Sequence, residues 1–404
     1  MRSRLPTVPA LLGIGVVATL LSLLNSSTGD YPSDAGPTIR ALLDGDLGAA
    51  IASQPLMGSL SVLVRLPFAA VAELTGGGEL LAYQLGSIPC VAAAGVLGLA
   101  IARWMERRGA GRVACIATVA FSMVNPLTRE ALALGHPEEL LGGALCAGAV
   151  LAALRGHSGR AGVLLGLALA TKQWALIAVL PALAAVPAQR LRLAACAGAV
   201  AAVLTLPLIA GNLSGFSETT QQAAWGGQSV NPWNLLWPLA DSQDRVISIG
   251  GDERVVSVRV LPLWLAHLMH PLIVALALPL TAAWWFSRRR TPDDALALLA
   301  LLFLLRSLLD PVNNVYYHVP FLLSLTAWEG LARRGPPLVS MLCSATIYYA
   351  LYKAGWADEL ALRNALYLAA TVPPAVWLAV RLYVPRRAAR PGVARRQLPA
   401  PGTA

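Results

Sequence analysis

The chain has 404 residues, of which 56% are hydrophobic and 13% charged, with a mean hydropathy of +0.62 and a formal net charge of +10. A globule has too little polar surface to hide that much apolar side chain from water, so the composition excludes a water-soluble domain and predicts a polytopic helical membrane protein. The five cysteines all fall in apolar runs without CxxC spacing, which excludes a disulfide framework or a thiolate zinc site.

The opening "MRSRLP" and the apolar run behind it resemble a signal peptide. The run is long enough to span and no small-x-small cleavage site precedes "NSSTGD", so it is read as an uncleaved first helix, 7–24. An outer loop, 25–82, gathers Asp30, Asp34, Asp44 and Asp46 in a chain otherwise poor in charge. Within it, the stretch from Gly36 to Leu43, started by Pro37, predicts a short helix. The stretch "LMGSLSVLVRLPFAAVAEL" predicts an amphipathic or re-entrant one. Asp44 and Asp46 form a DxD, a pattern that can hold a divalent metal with sugar diphosphates, but beside Gly45 at a helix end they read as turn residues. Asp34 reads either as a cap of the helix that follows or as a general base presented at the membrane surface, with Asp30 the second candidate.

Further spans are predicted at 83–102, 112–128, 138–155, 160–171, 174–187, 191–210, 266–286, 293–309, 319–332, 336–352 and 363–383. A second large outer loop, 211–265, carries Trp225, Trp233 and Trp237, which suit an interfacial belt, and a basic tail follows at 384–404. With the N-terminus inside, the arginine clusters at 2–4, 103–112, 155–160, 190–192, 288–290, 333–334 and 381–396 share one face, which the positive-inside rule makes cytoplasmic. One segment tests that scheme. The run 161–187 is long enough for a single span with Lys172 near its middle, which would invert everything downstream. Two short helices meeting at Lys172 keep the parity, so a broken hairpin is predicted with Lys172 at its outer tip.

Three polar clusters fall at outer junctions. "NPLTREALALGHPEELLGG" (125–143) brings Arg129, Glu130, His136, Glu138 and Glu139 together, although acids also suit the first turn of a helix. Metal ligation by His136 and Glu138 lacks further His or Cys nearby. Lys172 and Arg306 lie near membrane depth, where a cation costs about 2.5–3.5 kcal/mol and requires a partner or a wet cavity. An i,i+4 pair with Asp310 is one solution for Arg306; Lys172 has no acid close by in sequence, and a lipid phosphate is a natural counter-charge. The last cluster, "LLDPVNNVYYHVPFLL" (308–323), sets Asp310, Asn313, Asn314, Tyr316, Tyr317 and His318 in a short turn.

The order of these pieces is an acid-bearing outer loop ahead of "ALLDGDL", then "GHPEELLGG" and "ATKQWALIAVLPAL", then "DPVNNVYYHVPFLL". From about residue 28 to 330 it resembles glycosyltransferase family 87, the actinobacterial polyprenol-phosphate-mannose-dependent mannosyltransferases with a GT-C fold. The resemblance implies an all-α polytopic membrane protein, a GT-C-like bundle of about 12 transmembrane helices with juxtamembrane helices in the first outer loop. It implies an inverting transferase that moves a hexose, mannose by family expectation, from a polyprenyl-phosphate-linked donor to a lipid or glycan acceptor. The work is expected on the outer face of the plasma membrane, with both termini cytoplasmic. The catalytic acid falls on Asp34, or on Asp30, because "DAGP" departs from the family pattern. Donor-phosphate contacts are expected from Lys172, Arg129, Arg306 and His318, and sugar or acceptor contacts from His136, Glu138, Asn314, Tyr316 and Tyr317. A monophosphate leaving group that protein cations can neutralise demands no divalent metal, so no metal or other cofactor is expected. The partners expected are membrane lipids and the two substrates, not nucleic acid, and the chain is expected to be a monomer. The rival reading is a lipid or solute transporter or flippase; against it stands the absence of an inverted repeat and of half-length helices in matching halves. A catalytically dead scaffold that kept the fold is the third.

Overall fold

The computed structural model describes residues 6–55, 58–225, 229–249, 252–287, 291–353 and 359–384. Helix α1 (Thr7–Leu23) packs on α5, and the loop between them holds α2 (Gly36–Leu43), α3 (Leu47–Ser53) and α4 (Ser59–Leu74). Then come α5 (Glu79–Arg107), α6 (Arg112–Met123), α7 (Pro126–Ala133), α8 (Glu138–Leu154), α9 (Ser158–Leu169), α10 (Val179–Ala185), α11 (Arg190–Gly211) and α12 (Leu213–Trp225). Three strands, β1 (Ser229–Val230), β2 (Asp241–Ile249) and β3 (Asp252–Val260), precede α13 (Leu263–Phe286), α14 (Asp294–Leu309), α15 (Val319–Arg333), α16 (Leu338–Tyr348) and α17 (Leu360–Tyr383).

Each of the twelve predicted apolar segments falls on helix. Among the described residues four helices, α5, α11, α13 and α17, are long and apolar enough to cross a membrane. The others are shorter, so helix length alone does not carry the count of about 12 crossings. Helices α14 and α15 are buried along almost their whole length, as apolar-all-round helices must be, and α5, α8, α13, α16 and α17 surround them. Leu191, Val203 and Leu206 on α11 and Leu263, Leu268 and Leu278 on α13 face outward, where lipid replaces water as the solvent.

The run from 161 to 187 is broken. Helix α9 stops at Leu169, Lys172 is extended, and the chain returns through a 3-10 stretch, Gln173–Ala178, into α10. The hydroxyl of Ser158, at the start of α9, donates to Gln189 Oε1 at 2.9 Å. A straight helix between those residues would separate them by roughly 45 Å, so the hydrogen bond defines a hairpin with Lys172 at its tip.

The basic clusters meet at the other end of the bundle. Arg103 donates to Thr7 at 2.7 Å, Arg108 pairs with Asp293 at 2.9 Å, Arg155 donates to the Ala100 carbonyl and Arg381 pairs with Asp294. Arg2, Arg4, Arg288 to Arg290 and the basic tail from residue 385 lie outside the described residues.

The second large loop corrects the all-α expectation. Strands β2 and β3 pair antiparallel from Asp241↔Val260 to Ile249↔Asp252, and β1 adds to the other edge of β3. The sequence carries the cause: "RVISI" and "RVVSVRV" are rich in β-branched residues and flank Gly250-Gly251, a hairpin signal. The sheet is held over the bundle by Asn231, whose N–H donates to the Pro311 carbonyl at 3.2 Å, and by Asn313, which donates to the Trp233 carbonyl at 2.8 Å.

Candidate active site

At the end of the bundle opposite the arginines, a cavity of about 940 Å³ opens between the first loop, the hairpin tip, β1, α13 and the turn after α14. Its first wall is built by backbone packing. Helix α7 is capped by Asn125, whose Oδ1 accepts from the N–H groups of Leu127 and Thr128. It ends in a Schellman motif, with Gly135 at φ +90° and the His136 N–H bonded back to the Ala131 carbonyl at 2.8 Å. That motif aims His136 into the cavity. The first loop rests directly on it: Asp30 N–H donates to the Leu134 carbonyl at 3.1 Å. A Cβ on Gly29 would sit 2.0 Å from Leu134 C, and one on Gly135 2.5 Å from Asp30 N. Two glycines thus form a side-chain-free seam that sets Asp30 against His136.

From this seam a chain of ion pairs runs inward. His136 Nε2 lies 3.0 Å from Asp30 Oδ2 and Nδ1 lies 2.9 Å from Glu138 Oε1. The same Glu138 oxygen is 3.2 Å from Lys172 Nζ. Glu139 Oε2 is 3.3 Å from Arg306, and its Oε1 accepts from the Trp174 indole at 3.0 Å and lies 3.8 Å from Lys172. Both glutamates are fully buried. Unpaired, each would carry a desolvation penalty of several kcal/mol, roughly what the Lys172 and Arg306 partnerships offset. The Arg306 guanidinium is also held between rings, 4.2 Å from the Tyr317 centroid and 4.7 Å from that of Trp174. Tyr316 stacks on the His136 ring at 4.0 Å.

The two candidate acids differ in environment. The His136 hydrogen bond outweighs burial at Asp30 and holds its carboxyl below the usual range. Burial raises Asp34, whose carboxylate has no hydrogen-bond or ion-pair partner among the described residues. Burial opposes charge on His136, but Glu138 and the hydrogen bonds to both acids win and raise it to about 9. His136 is therefore a fixed imidazolium at neutral pH.

Of the predicted site residues, Asp30, Asp34, His136, Lys172, Arg306, Tyr316 and Tyr317 line this one cavity. Four do not. Arg129 is exposed on α7, away from the lining. Glu138 lies behind the wall, where it orients His136 and Lys172. Asn314 caps the 3-10 turn Val315–His318 through Val315 N–H. His318 is fully buried between the Val315 carbonyl and the Tyr367 hydroxyl, both at 3.0 Å, and burial pushes it down to about 4, leaving it neutral. The expected pairing of Arg306 with Asp310 is replaced by Arg306–Glu139 and by His270–Asp310 at 3.1 Å, and the counter-charges of Lys172 are the two glutamates. Asp46 caps α3, accepting from Ala49 N–H at 2.8 Å, and Gly45 turns at φ +76°. The DxD is thus spent on a turn. Among the described residues no three His, Cys, Asp or Glu side chains converge as metal ligands.

The predicted site residues do not include Trp174, His270 or Arg65, and the sequence marks Glu139 and Asp310 only as members of polar clusters. A histidine in a largely apolar helix, as His270 and His267 are in α13, is itself a signal. Arg65, fully buried on α4, stacks 4.9 Å from the Tyr31 ring centroid and 5.6 Å from that of Tyr83, backing the residue next to Asp30. Its isolation among apolar residues of a helix could have marked it.

In a helical membrane chain, a cavity that sets acids against cations beside an apolar wall (Ile273, Val274 and Ala275) has the chemistry that suits the charged end of an amphiphile. The model of glycosyltransferase family 87 matches residues 57–309, more than half of the sequence, and the chain belongs to that family. It is a membrane glycosyltransferase. No curated protein matches it in sequence. Among solved structures it is similar to ArnT from Cupriavidus metallidurans bound to undecaprenyl phosphate, with 18% identity over 93% of this chain and 70% of that one, and a TM-score of 0.50. At that identity the likeness concerns the fold.

Proposed function

We propose that the chain transfers a hexose, most simply mannose, from a polyprenyl-phosphate-linked donor to a hydroxyl of a lipid or glycan acceptor, with inversion and without a metal. The observation that carries this reading is Asp34, a carboxylate in the cavity with no hydrogen-bond or ion-pair partner among the described residues and a raised pKa, set among cations. A raised carboxyl is the better general base near neutral pH. It would take the acceptor proton as the acceptor oxygen attacks the anomeric carbon. The bond to the phosphate oxygen breaks with its electron pair, and charge grows on the departing polyprenyl phosphate. Lys172 and Arg306, pre-oriented by Glu138 and Glu139, would stabilise that charge. His270 replaces His318 as the histidine that faces the leaving group, with Asp310 behind it. Asp30, held by the His136 imidazolium, would orient the sugar or acceptor.

The donor class is supported by the undecaprenyl phosphate in the ArnT structure and by the apolar wall beside the cations. Arginines gathered at the opposite end favour a cavity on the outer face, with both termini in the cytoplasm. Family membership favours group transfer over lipid flipping. The test is transfer from radiolabelled polyprenyl-phosphate-mannose in membranes containing the wild-type chain or Asp34→Asn. A general base contributes about 10²–10⁴-fold, and the variant is expected to lose that much. Full activity in Asp34→Asn would remove it from the mechanism. Loss of activity on chelation, restored by one divalent ion, would overturn metal independence.

A further inference from the structure

A second concavity, of about 310 Å³, lies on the outer surface near the arginine-rich end. Its walls are Leu180, Leu183 and Ala184 of α10 and Leu278 and Ala282 of α13, an apolar trough open to the surrounding lipid. Two polar groups sit in it. Thr281 is only 7% exposed, and its Oγ1 has no hydrogen-bond partner among the described residues. Arg190 closes the end, its guanidinium 4.4 Å from the Trp285 ring centroid and its Nε donating to the Leu183 carbonyl at 3.0 Å. Neither Nη of Arg190 has a partner among the described residues.

We propose that this groove is a binding site for one anionic glycerophospholipid of the leaflet opposite the cavity. One acyl chain lies along the leucines, the phosphate takes the Arg190 Nη atoms, and an ester carbonyl accepts from Thr281 Oγ1. The spacing fits: Thr281 and Trp285 are one helical turn apart, about 5.4 Å of rise, which is the scale separating a phosphate from the nearest ester carbonyl in such lipids. The chemistry discriminates against the donor's tail. An isoprenoid chain has no acceptor for a buried hydroxyl and nothing for a guanidinium, whereas a phospholipid satisfies both. Position discriminates too, since Ile273, at the cavity, and Trp285 are about 18 Å apart along α13. Basic pockets between helices on the arginine-rich side of membrane proteins suit anionic headgroups for the same reason. The site shares no lining residue with the cavity, and the proposal stands whatever the cavity transfers.

The test is native mass spectrometry of the delipidated full-length chain in detergent, incubated with phosphatidylglycerol, phosphatidylcholine or polyprenyl phosphate. One phosphatidylglycerol per chain is expected, held at least fivefold more than phosphatidylcholine. Thr281→Val and Arg190→Gln are each expected to lower that occupancy at least fivefold. Thr281→Val is nearly isosteric, so it keeps the test alive if the arginine variant unfolds. Unchanged occupancy in Thr281→Val, or equal retention of phosphatidylcholine, would overturn the proposal. So would displacement of the bound lipid by polyprenyl phosphate, which would give the groove to the donor.

Discussion

The backbone N–H of Asp34 donates to the carbonyl of Asp30 at 2.9 Å, so the two acids ride on one turn while their carboxylates meet opposite conditions. Asp30 is tied to His136, and Asp34 is half-buried with no side-chain partner among the described residues. One turn therefore carries two carboxyls shifted in opposite directions, which is the division of labour that the proposed mechanism needs.

The two acids are expected to fail differently when changed. Asp34→Asn should lower kcat by about 10²–10⁴, with KM little moved. Asp30→Asn should lower kcat/KM about tenfold, through lost positioning worth about 1.4 kcal/mol. Initial rates against donor and acceptor concentration separate the two, and equal losses in kcat would refute the division.

The pH-rate profile should carry the same signature. A base acts deprotonated, so the rate should fall as pH falls through the pKa of Asp34, which burial has raised above the ordinary carboxylate range. Asp30 is shifted the other way and should leave no step there. A midpoint at or below the ordinary aspartate value would count against Asp34.

His136 makes stability depend on pH. Its folded pKa, about 9, lies above the ordinary 6.5, so its contribution is complete below pH 6.5 and is lost as pH rises towards 9. The full effect is at most about 3 kcal/mol. Thermal unfolding in detergent should show Tm declining across that window, and His136→Gln should flatten the decline.

The Glu139–Arg306 pair should show strong coupling. Arg306→Met alone leaves a fully buried carboxylate with Trp174 and a distant Lys172 for partners, and should cost about 3–5 kcal/mol. Glu139→Gln with Arg306→Met should cost less than the sum of the singles. A double-mutant cycle by denaturant titration measures the difference, and additivity would sink the claim.

Gly135→Ala should be far worse than Gly45→Ala. Both glycines have positive φ, so alanine costs each about 1–2 kcal/mol of backbone strain. At Gly45 a Cβ meets nothing within 4 Å, whereas at Gly135 it strikes Asp30 N at 2.5 Å. Gly45→Ala should keep transfer activity, and Gly135→Ala should lose it along with stability.

Local patterns in the sequence reached a good part of this structure. Apolar runs locate the helices, Pro37 starts α2, and Lys172 in mid-run announces the break between α9 and α10. "GHPEE" brings His136 to the cavity because a glycine C-cap and a following helix start are encoded within five residues. Pairings across the chain were not legible. Glu138 meets Lys172, and His270 meets Asp310, only because elements distant in sequence pack side by side. His318 and His270 illustrate the limit: each is a histidine within two residues of a proline and next to apolar sequence, and only packing decides that Tyr367 covers one while the cavity admits the other. The strands are encoded in "RVISI", Gly-Gly and "RVVSVRV", a local period-two pattern that the apolar, helix-rich composition of the whole chain masks.

The hairpin at Lys172 also bears on how the chain enters the bilayer during synthesis. Helix α9 has 12 residues, about 18 Å of rise, and α10 has 7. Against a hydrocarbon core of about 30 Å, neither can be released into lipid by itself. The two arms must insert together, against α8, which leaves the ribosome first. Glu138 and Glu139 are then made before Lys172, so the acids that orient the lysine in the finished protein are already at hand as counter-charges when the hairpin enters the bilayer.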